Sequence, residues 1–294
     1  MTVKLAIPNK GRLNERAVEL LSKSGIDLGE DWGRRLYVTA KEQDLEIMFI
    51  RAQDIPAFIE SGAIDFGITG QDMVAESGYG DYLEDVLNLE FGVCRLSIAA
   101  PEASGIHSAK DIKDGTRIAT SFPNLTKKYF DSLGKKVEIT VVSGAAEIMP
   151  YLGVSDLICD LIATGSTLKI NRMVEVCKII DSQAAIFTSK EIAYMSSPDK
   201  KYQEIMDVVE AIRSVMSAED KKYLMANIPK KKITQVEKIV PGINGPTILE
   251  LAGNENMVAV QVVVSSKDMY KTISKLKKLG AEGILCMSID RLVK

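Results

Sequence analysis

Short apolar runs alternate with amphipathic segments along the first two thirds of the chain. Residues 3–7 (VKLAI) and 117–120 (RIAT) are apolar, and each precedes a Pro-Asn loop that leads into a segment with helical periodicity. Strands that alternate with helices are typical of a mostly parallel sheet with both faces covered. The pattern therefore predicts an α/β core whose ligands gather beyond the carboxyl ends of the strands.

One of these patterns occurs twice. Residues 45–70 and 137–165 both indicate a strand, a small-residue turn, a helix and a strand, and they end in IDFGITG and CDLIATG. Any two strand-helix-strand units share some features, but several matches in the same order favour two related lobes around a cleft. In this alignment Asp65 matches Asp160, and Asp54 matches Glu147.

The remainder of the chain has a different pattern. Residues 198–228 carry apolar side chains at helical spacing, with a second helix start near Ser217, and predict a helical connector. The order that follows, helix, strand, turn, strand, helix and strand, predicts a small ferredoxin-like α+β domain. With a return to the first lobe near residue 173, the predicted domains are lobe I (1–94 and 175–215), lobe II (95–174) and a carboxyl-terminal domain (222–294).

Composition excludes several classes of function. The 294 residues contain 37 Lys and Arg against 40 Asp and Glu, so the charge gives no basis for binding nucleic acid or an acidic membrane. No apolar stretch approaches the ~18 residues of a membrane span, and no secretory signal is evident, which predicts a cytoplasmic protein. The four cysteines form no CxxC pair, which indicates free thiols in a reducing compartment.

Only one histidine, His107, is present, in a polar loop. Ser-His-Asp, Cys-His and zinc chemistries are therefore disfavoured. Catalysis would depend on carboxylates, hydroxyls, cations, backbone amides or a hard metal ion.

The stretch ICDLIATGSTLKINR contains the main candidate site. Asp160 would share a strand face with Ile158 and Ile162, which is costly unless the carboxylate is paired, at the strand end or meeting a ligand. One interpretation is a structural carboxylate bonded to backbone amides. The other is functional: residues 163–167 supply flexible backbone, three hydroxyls and amides at a helix start, as in a phosphate cradle. Asp160 could then hold ribose hydroxyls or Mg²⁺.

The same stretch resembles the signature of the ATP phosphoribosyltransferase family, the first enzymes of histidine biosynthesis. The matching positions are Glu147, Gly153, Ser155, Ile158, Asp160, Leu161, Thr164, Gly165, Thr167 and Leu168. The resemblance extends over the whole chain, through PNKGRL, RIATSFPNLTKKYF, PGINGPTILEL and LKKLGAEGIL. The predicted carboxyl-terminal domain of this chain is similar to that of the long, self-regulated form of the family. The short form lacks this domain.

The resemblance implies transfer of the phosphoribosyl group of phosphoribosyl pyrophosphate to N1 of ATP, with Mg²⁺ as cofactor and pyrophosphate as product. It implies that the loop takes the 5′-phosphate, that Asp160 takes the ribose hydroxyls, and that Glu147 orients the loop or a metal-bound water. The candidate catalytic residues are Asp160, Glu147, Lys10 and Arg51, with Asp160 as a metal contact. The candidate residues for the phosphoribosyl phosphate are Ala163, Thr164, Gly165, Ser166 and Thr167, and those for the nucleotide are Lys10, Gly11, Arg12, Arg51, Gly70, Ser121 and Asn124.

Among the cations, Lys10 and Arg51 are better placed after predicted strand ends than Arg12, for which surface solvation is the simpler interpretation. The resemblance further implies feedback inhibition by histidine and a hexamer assembled from dimers. Thr247, in the PGINGPT turn, is a candidate effector contact. CMSID at residues 286–290 stands where the family is expected to have a sequence nearer Val-Leu-Pro-Ile-Glu, which leaves effector affinity open.

The residues also allow three other interpretations. Solute-binding proteins and the effector domains of transcription regulators also have two lobes about a cleft. The missing secretory signal disfavours the first, and the lack of a helix-turn-helix pattern before Leu36 disfavours the second. Other phosphoribosyltransferases usually carry two adjacent acids before the phosphate loop, whereas here only Asp160 follows Cys159.

Overall fold

The computed structural model describes residues 2–29, 32–40, 44–195, 199–243 and 245–293. The chain divides into two compact units, one up to Val209 and one from Glu210 onward. None of the helices in these ranges has the length and apolar content that a bilayer span requires.

The first unit alternates strands and helices, as predicted. Its strands are β1 (Val3–Pro8), β2 (Tyr37–Ala40), β3 (Leu45–Ile50), β4 (Phe66–Gly70), β5 (Leu83–Asn88), β6 (Cys94–Pro101), β7 (Arg117–Thr120), β8 (Glu138–Val141), β9 (Leu157–Ile162), β10 (Met173–Ser182) and β11 (Ala184–Ser189). Its helices are α1 (Gly11–Lys23), α2 (Ile55–Glu60), α3 (Gln71–Ser77), α4 (Pro123–Ser132), α5 (Ser166–Ile170) and α6 (Lys190–Ala193), and α7 (Lys200–Glu219) runs into the second unit.

These strands form two sheets, one for each lobe. Within the described ranges the first sheet has the order β2-β3-β1-β4-β11-β5 and the second β10-β6-β9-β7-β8. Parallel pairing is confined to three strands in each sheet, β3-β1-β4 and β8-β7-β9, and antiparallel strands flank them. The two parallel triplets follow the chain in the same order, which confirms the predicted pair of related lobes.

The triplets also correct the residue alignment between the lobes. The amide of Lys4 on β1 donates to the Asp65 carboxylate, and the amide of Arg117 on β7 donates to the Asp156 carboxylate in the same way. Asp65 therefore corresponds to Asp156. Counting along β4 and β9 from these residues places Thr69, rather than Asp65, opposite Asp160. The first lobe thus has no counterpart of the Asp160 carboxylate.

The predicted boundary at residue 175 differs from the strand pairing. β10 pairs antiparallel with β6 along its length and belongs to the second sheet, so the chain returns to the first sheet only with β11. Val174, Val176 and Ile180 on β10 pack against the core of the second lobe. An apolar run indicates a strand but not the sheet that the strand joins.

That core covers one face of the second sheet. Its fully buried members include Leu96, Ile98, Ile118, Leu157 and Phe130. Each such side chain stabilises the fold by about 1.5–3 kcal/mol relative to an exposed position. The opposite face, around Ile158, Ile162 and Leu168, is the face that bounds the candidate site.

The second unit has the ferredoxin-like arrangement that the sequence predicts. It contains β12 (Lys221–Pro229), α8 (Ile233–Ile239), β13 (Thr247–Glu250), β14 (Met257–Ser265), α9 (Met269–Lys278) and β15 (Glu282–Ser288), and its antiparallel sheet has the order β13-β14-β12-β15. The prediction of a helix through residue 228 was wrong, because α7 ends at Glu219 and β12 follows. Leu224, Ala226 and Ile228 alternate into the core as strand residues do.

Candidate functional site

A cavity of about 320 Å³ opens where β9 ends. It brings together many of the predicted site residues with several that were not predicted. Its lining consists of Arg12, Ser97, Ala99, Glu147, Ile158, Asp160, Leu161, Ile162, Ala163, Thr164, Gly165, Ser166, Thr167 and Leu168. The volume is within the range of small-molecule sites.

Asp160 lies on the cavity face of β9, between Ile158 and Ile162, as the sequence predicts. The amide of Leu161 donates to its Oδ1 at 2.7 Å, and no other hydrogen bond or ion pair reaches this carboxyl group within the described ranges. Burial raises the pKa of Asp160, and the nearby Glu147 carboxylate raises it further. Among the residues that the structure describes, this carboxyl group thus has no ion-pair partner to stabilise its charge.

Glu147 enters the cavity from a short 3₁₀ helix, Ala146–Ile148, which follows β8. Ala145, just before it, has a left-handed backbone (φ 53°), and Ala146 anchors the turn in the core below the cavity. Two carboxylates thus border the same space, and the sequence placed both of them at the site.

The loop from Ala163 to Thr167 forms one wall. Gly165 has a φ of +77°, a left-handed conformation that favours glycine, and it starts α5. The hydroxyls of Thr164 and Ser166 lie 3.0 Å apart. Within the described part of the chain, the amides of Thr164, Gly165, Thr167 and Leu168 have no acceptor. Hydroxyls and unbonded amides that face a cavity are the groups that bind phosphate oxygens.

Arg12 brings a positive charge to the cavity lining, from the first turn of α1 in the other lobe. It has no ion-pair partner among the described residues. Lys10 and Arg51 are exposed at the ends of β1 and β3 and do not belong to the described lining. Arg12 is exposed as well, and its direction in the first turn of α1 brings it to the cavity lining. The roles of Lys10 and Arg51 stay predictions.

The other predicted nucleotide contacts also lie outside the described lining. Gly11 is exposed beside Lys10. Gly70 ends β4, where an added Cβ would be 2.2 Å from Asp72 Oδ1, so close packing accounts for the glycine. Ser121 donates its hydroxyl to the Val142 carbonyl at 2.7 Å.

Asn124 is engaged with the opposite lobe. The backbone amide of Asn124 donates to the carboxylate of Glu76 on α3 at 2.8 Å, and the backbone amide of Leu125 donates to the same carboxylate at 2.9 Å. The Asn124 side chain also donates to the Glu76 carbonyl. Glu76 thus caps α4 across the two lobes.

Sequence reasoning missed Ser97 and the ion pair behind it. Ser97 is fully buried, pairs directly with Asp160 across β6 and β9, and donates to Glu175 at 2.8 Å. Arg95 forms two hydrogen bonds with Glu175, through Nε at 2.6 Å and through NH2. The available signal was a serine and an arginine alternating on an otherwise apolar strand, CRLSIAA.

The second unit has a separate cavity of about 310 Å³. Thr247, at the start of β13, lines it together with Tyr223, Gly245 and Gln261. This is where the structure places the predicted effector contact.

The sequence of this chain is similar to that of a known enzyme family over nearly its whole length. The family profile described as "HisG: ATP phosphoribosyltransferase" matches residues 51–214, and the profile "HisG, C-terminal domain" matches residues 218–291. The ATP phosphoribosyltransferase of Methanocaldococcus jannaschii is 42% identical over 292 residues, which cover 99% of this chain and 100% of the relative. That of Methanococcus maripaludis is 42% identical over 289 residues, which cover 98% of this chain and 99% of the relative.

A solved structure gives the same result for the fold. A chain of the ATP phosphoribosyl transferase (HisG:HisZ) complex from Thermotoga maritima has a TM-score of 0.62 and 29% identity, and the match covers 72% of this chain and 98% of that one. The profiles match most of the chain and the relatives extend over nearly all of it. The chain therefore belongs to the ATP phosphoribosyltransferase family, as its sequence signature predicts.

Proposed function

We propose that this chain transfers the phosphoribosyl group of phosphoribosyl pyrophosphate to N1 of ATP, giving phosphoribosyl-ATP and pyrophosphate, the first step of histidine biosynthesis. The observation that carries the proposal is the shared cavity of Asp160, the Thr164–Thr167 loop and Arg12. A carboxylate, a set of amides and a cation, all without partners among the described residues apart from the Leu161 amide on Asp160, match the hydroxyls and phosphates of a sugar phosphate.

The loop binds the 5′-phosphate in this proposal. The amides of Thr164, Gly165, Thr167 and Leu168 and the hydroxyls of Thr164, Ser166 and Thr167 are donors for its oxygens. Asp160 lies three residues before Ala163, the first residue of this loop, and its carboxylate accepts hydrogen bonds from the ribose hydroxyls. These bonds stabilise the charged carboxylate, whose burial otherwise raises its pKa.

The chemistry needs no activated nucleophile. N1 of adenine attacks C1′ of the ribose with its own lone pair, the bond from C1′ to the pyrophosphate oxygen breaks, and the electron pair of that bond leaves with pyrophosphate. The protein holds the two anionic substrates in line and stabilises the charge that develops on C1′ and on the leaving group. Arg12, Lys10 and Arg51 supply positive charge for the phosphates, and Gly11, Gly70, Ser121 and Asn124 remain proposed nucleotide contacts.

The donor set fits Mg²⁺. This ion is usually held by one or two carboxylates together with substrate phosphates and water. Asp160 and Glu147 supply two carboxylates on one cavity, both without a cation partner among the described residues. Asp160 would hold the ion, with Glu147 orienting the loop or a bound water, and the ion would neutralise charge on the departing pyrophosphate.

Regulation belongs to the second unit in this proposal. Histidine binds there as a feedback inhibitor, with Thr247 as a contact, and the chain assembles as dimers and hexamers. The separate cavity lined by Thr247 supports an effector site. Addition of histidine to the assay tests it, and an unchanged rate at saturating histidine would exclude the inhibition.

The primary test is a pyrophosphate-release assay. Purified protein is incubated with ATP, phosphoribosyl pyrophosphate and MgCl₂, and each substrate is omitted in turn. Pyrophosphate release that needs both substrates is expected. A protein that only binds small anions would leave both substrates intact, and that outcome refutes the proposal.

Substitution of Thr167 tests the role of the loop. Thr167→Leu removes a hydroxyl and places a bulky side chain against the phosphate position, so we expect a rise of about tenfold or more in the Michaelis constant for phosphoribosyl pyrophosphate. Thr39→Leu is the matched control, because Thr39 is exposed on β2 and outside the described cavity lining. Unchanged kinetics for Thr167→Leu would remove the loop from the phosphate site.

A further inference from the structure

The cavity wall beside Asp160 is supported by an ion pair from two neighbouring strands. Arg95 lies on β6 and Glu175 on β10, and the guanidinium and the carboxylate meet through two hydrogen bonds. The pairing lowers the pKa of Glu175 and raises that of Arg95. A two-point arginine–carboxylate contact fixes the orientation of both side chains, unlike a single contact between flexible charges.

Each member of this pair has one further contact that leads to the cavity. The NH1 group of Arg95 donates to the Ala163 carbonyl, the first residue of the loop, at 3.4 Å. Oε1 of Glu175 accepts a hydrogen bond at 2.8 Å from Ser97, whose side chain is fully buried and lines the cavity opposite Asp160. Arg95 and Glu175 themselves are not among the described residues of the lining.

Strand register explains why one ion pair reaches both places. Arg95 pairs with Ile162, the last residue of β9, so its side chain lies beside the start of the loop. Ser97 is two residues further along β6 on the same face and pairs with Asp160. Glu175 lies on the next strand, within reach of both.

From this geometry we infer that Arg95 and Glu175 act as a positioning pair for the phosphoribosyl site, holding the Ala163 end of the loop and the Ser97 hydroxyl in the arrangement that the sugar phosphate requires. The pair touches no substrate in this inference. It fixes the positions of the loop amides and of the Ser97 side chain, which lies beside Asp160. The identity of the sugar phosphate rests on the proposed function, whereas the ordering of the loop does not.

The second lobe contains a matched control for this pair. Arg117 binds Asp156 through Nε and NH2 and donates from NH1 to the Gly153 carbonyl at 2.8 Å. It therefore has the same three kinds of contact as Arg95, but it lies at the amino ends of β7 and β9, outside the described cavity lining.

The test compares Arg95→Ala, Arg95→Lys and Glu175→Gln with Arg117→Ala. For Arg95→Ala we expect the Michaelis constant for phosphoribosyl pyrophosphate to rise about tenfold, with a change of about twofold or less in that for ATP. Arg95→Lys keeps the charge but not the two-point contact, and should recover only part of the loss. The double variant Arg95→Ala/Glu175→Ala should be within about twofold of Arg95→Ala if the two residues act as a unit.

Amide hydrogen exchange over residues 160–170, without substrate, gives a readout that does not depend on the reaction. Faster exchange in Arg95→Ala and Glu175→Gln, but not in Arg117→Ala, is expected. Equal exchange and equal affinity in all variants would overturn the inference. Equal losses in Arg95→Ala and Arg117→Ala would also overturn it, because they indicate general destabilisation.

If the wild-type protein neither binds nor turns over phosphoribosyl pyrophosphate, the proposed function fails while the exchange comparison still decides whether the pair orders the loop. If Arg95→Ala does not fold, Arg95→Lys and Glu175→Gln carry the comparison.

Discussion

Asp160 places a carboxyl group in the interior of the second lobe, beside the cavity. Its carboxyl group sits among Ile158, Ile162 and Ala99, with one amide donor and a second carboxylate nearby. Burial raises its pKa from the ordinary value of 3.8, so the charged form is less favourable in the folded chain than in the unfolded one. In the proposed function, the ribose hydroxyls of the substrate supply the missing partners.

Asp160→Asn should therefore separate activity from stability. Loss of the charged acceptor for the ribose hydroxyls should lower kcat/KM for phosphoribosyl pyrophosphate by about tenfold to a hundredfold. At pH 7 the variant should unfold at a higher urea concentration than the wild type, because the neutral amide does not carry the unfavourable buried charge. Urea unfolding and steady-state kinetics on the same preparations check both effects.

The pH dependence of that stability difference has a defined sign. A carboxyl group whose folded-state pKa is raised contributes stability that is fully present below its unfolded pKa and is lost as the pH rises through the folded pKa. The gain from Asp160→Asn should therefore be largest at neutral pH and disappear below about pH 4. A variant that is less stable than the wild type at pH 7 would show that the native environment stabilises the charged carboxylate.

At the scale of elements, the Glu76 carboxylate on α3 connects that helix to the start of α4. Glu76 accepts the amides of Asn124 and Leu125, two of the unpaired donors at the start of α4, and it comes from the opposite lobe. The carboxylate thus acts as a helix cap that also joins the lobes. The sequence pattern predicts the start of α4, and Asn124 was predicted as a ligand contact. The cap could not be predicted, because a capping residue from another element leaves no pattern near the helix start.

Removing this cap should cost stability. Glu76→Ala should lower the free energy of unfolding by about 1 kcal/mol, the usual cost of losing a cap, and should speed exchange of the Asn124 and Leu125 amides. Glu76→Gln keeps an acceptor and should lose less. Glu60→Ala, at the exposed end of α2, is the control. Equal exchange at α4 in all three proteins would contradict the capping role.

Sequence patterns predicted most elements but not all of their partners. The strands at residues 3–7 and 117–120, the loop after Ile162 and the face of Asp160 follow from local periodicity, and the structure confirms them, with β1 one residue longer than predicted. β12 was taken for helix because the run YLMANI has no polar alternation that marks a strand. Sheet membership of β10, the direction of Arg12 and the Arg95–Glu175 pair depend on long-range packing, which a single sequence does not contain.

At the scale of the whole molecule, the chain consists of two compact units, and the second has its own buried cluster around Leu224, Ile228 and Val260. A unit with its own core can unfold as a separate transition. The proposed substrates and the proposed effector then bind different units. This division makes ligand-dependent calorimetry a direct test of which unit binds which molecule.

We expect two transitions in a calorimetric scan. Phosphoribosyl pyrophosphate with Mg²⁺, at a hundred times its dissociation constant, should stabilise the unit that contains Asp160 by about 2.7 kcal/mol and leave the other transition in place. Histidine should shift the transition of the second unit, through the cavity lined by Thr247. In Thr167→Leu the first shift should shrink while the histidine shift stays, since the loop belongs only to the first unit. If histidine instead moved the transition of the first unit alone, the effector would bind the catalytic cavity, and inhibition would be competitive rather than transmitted from a regulatory domain.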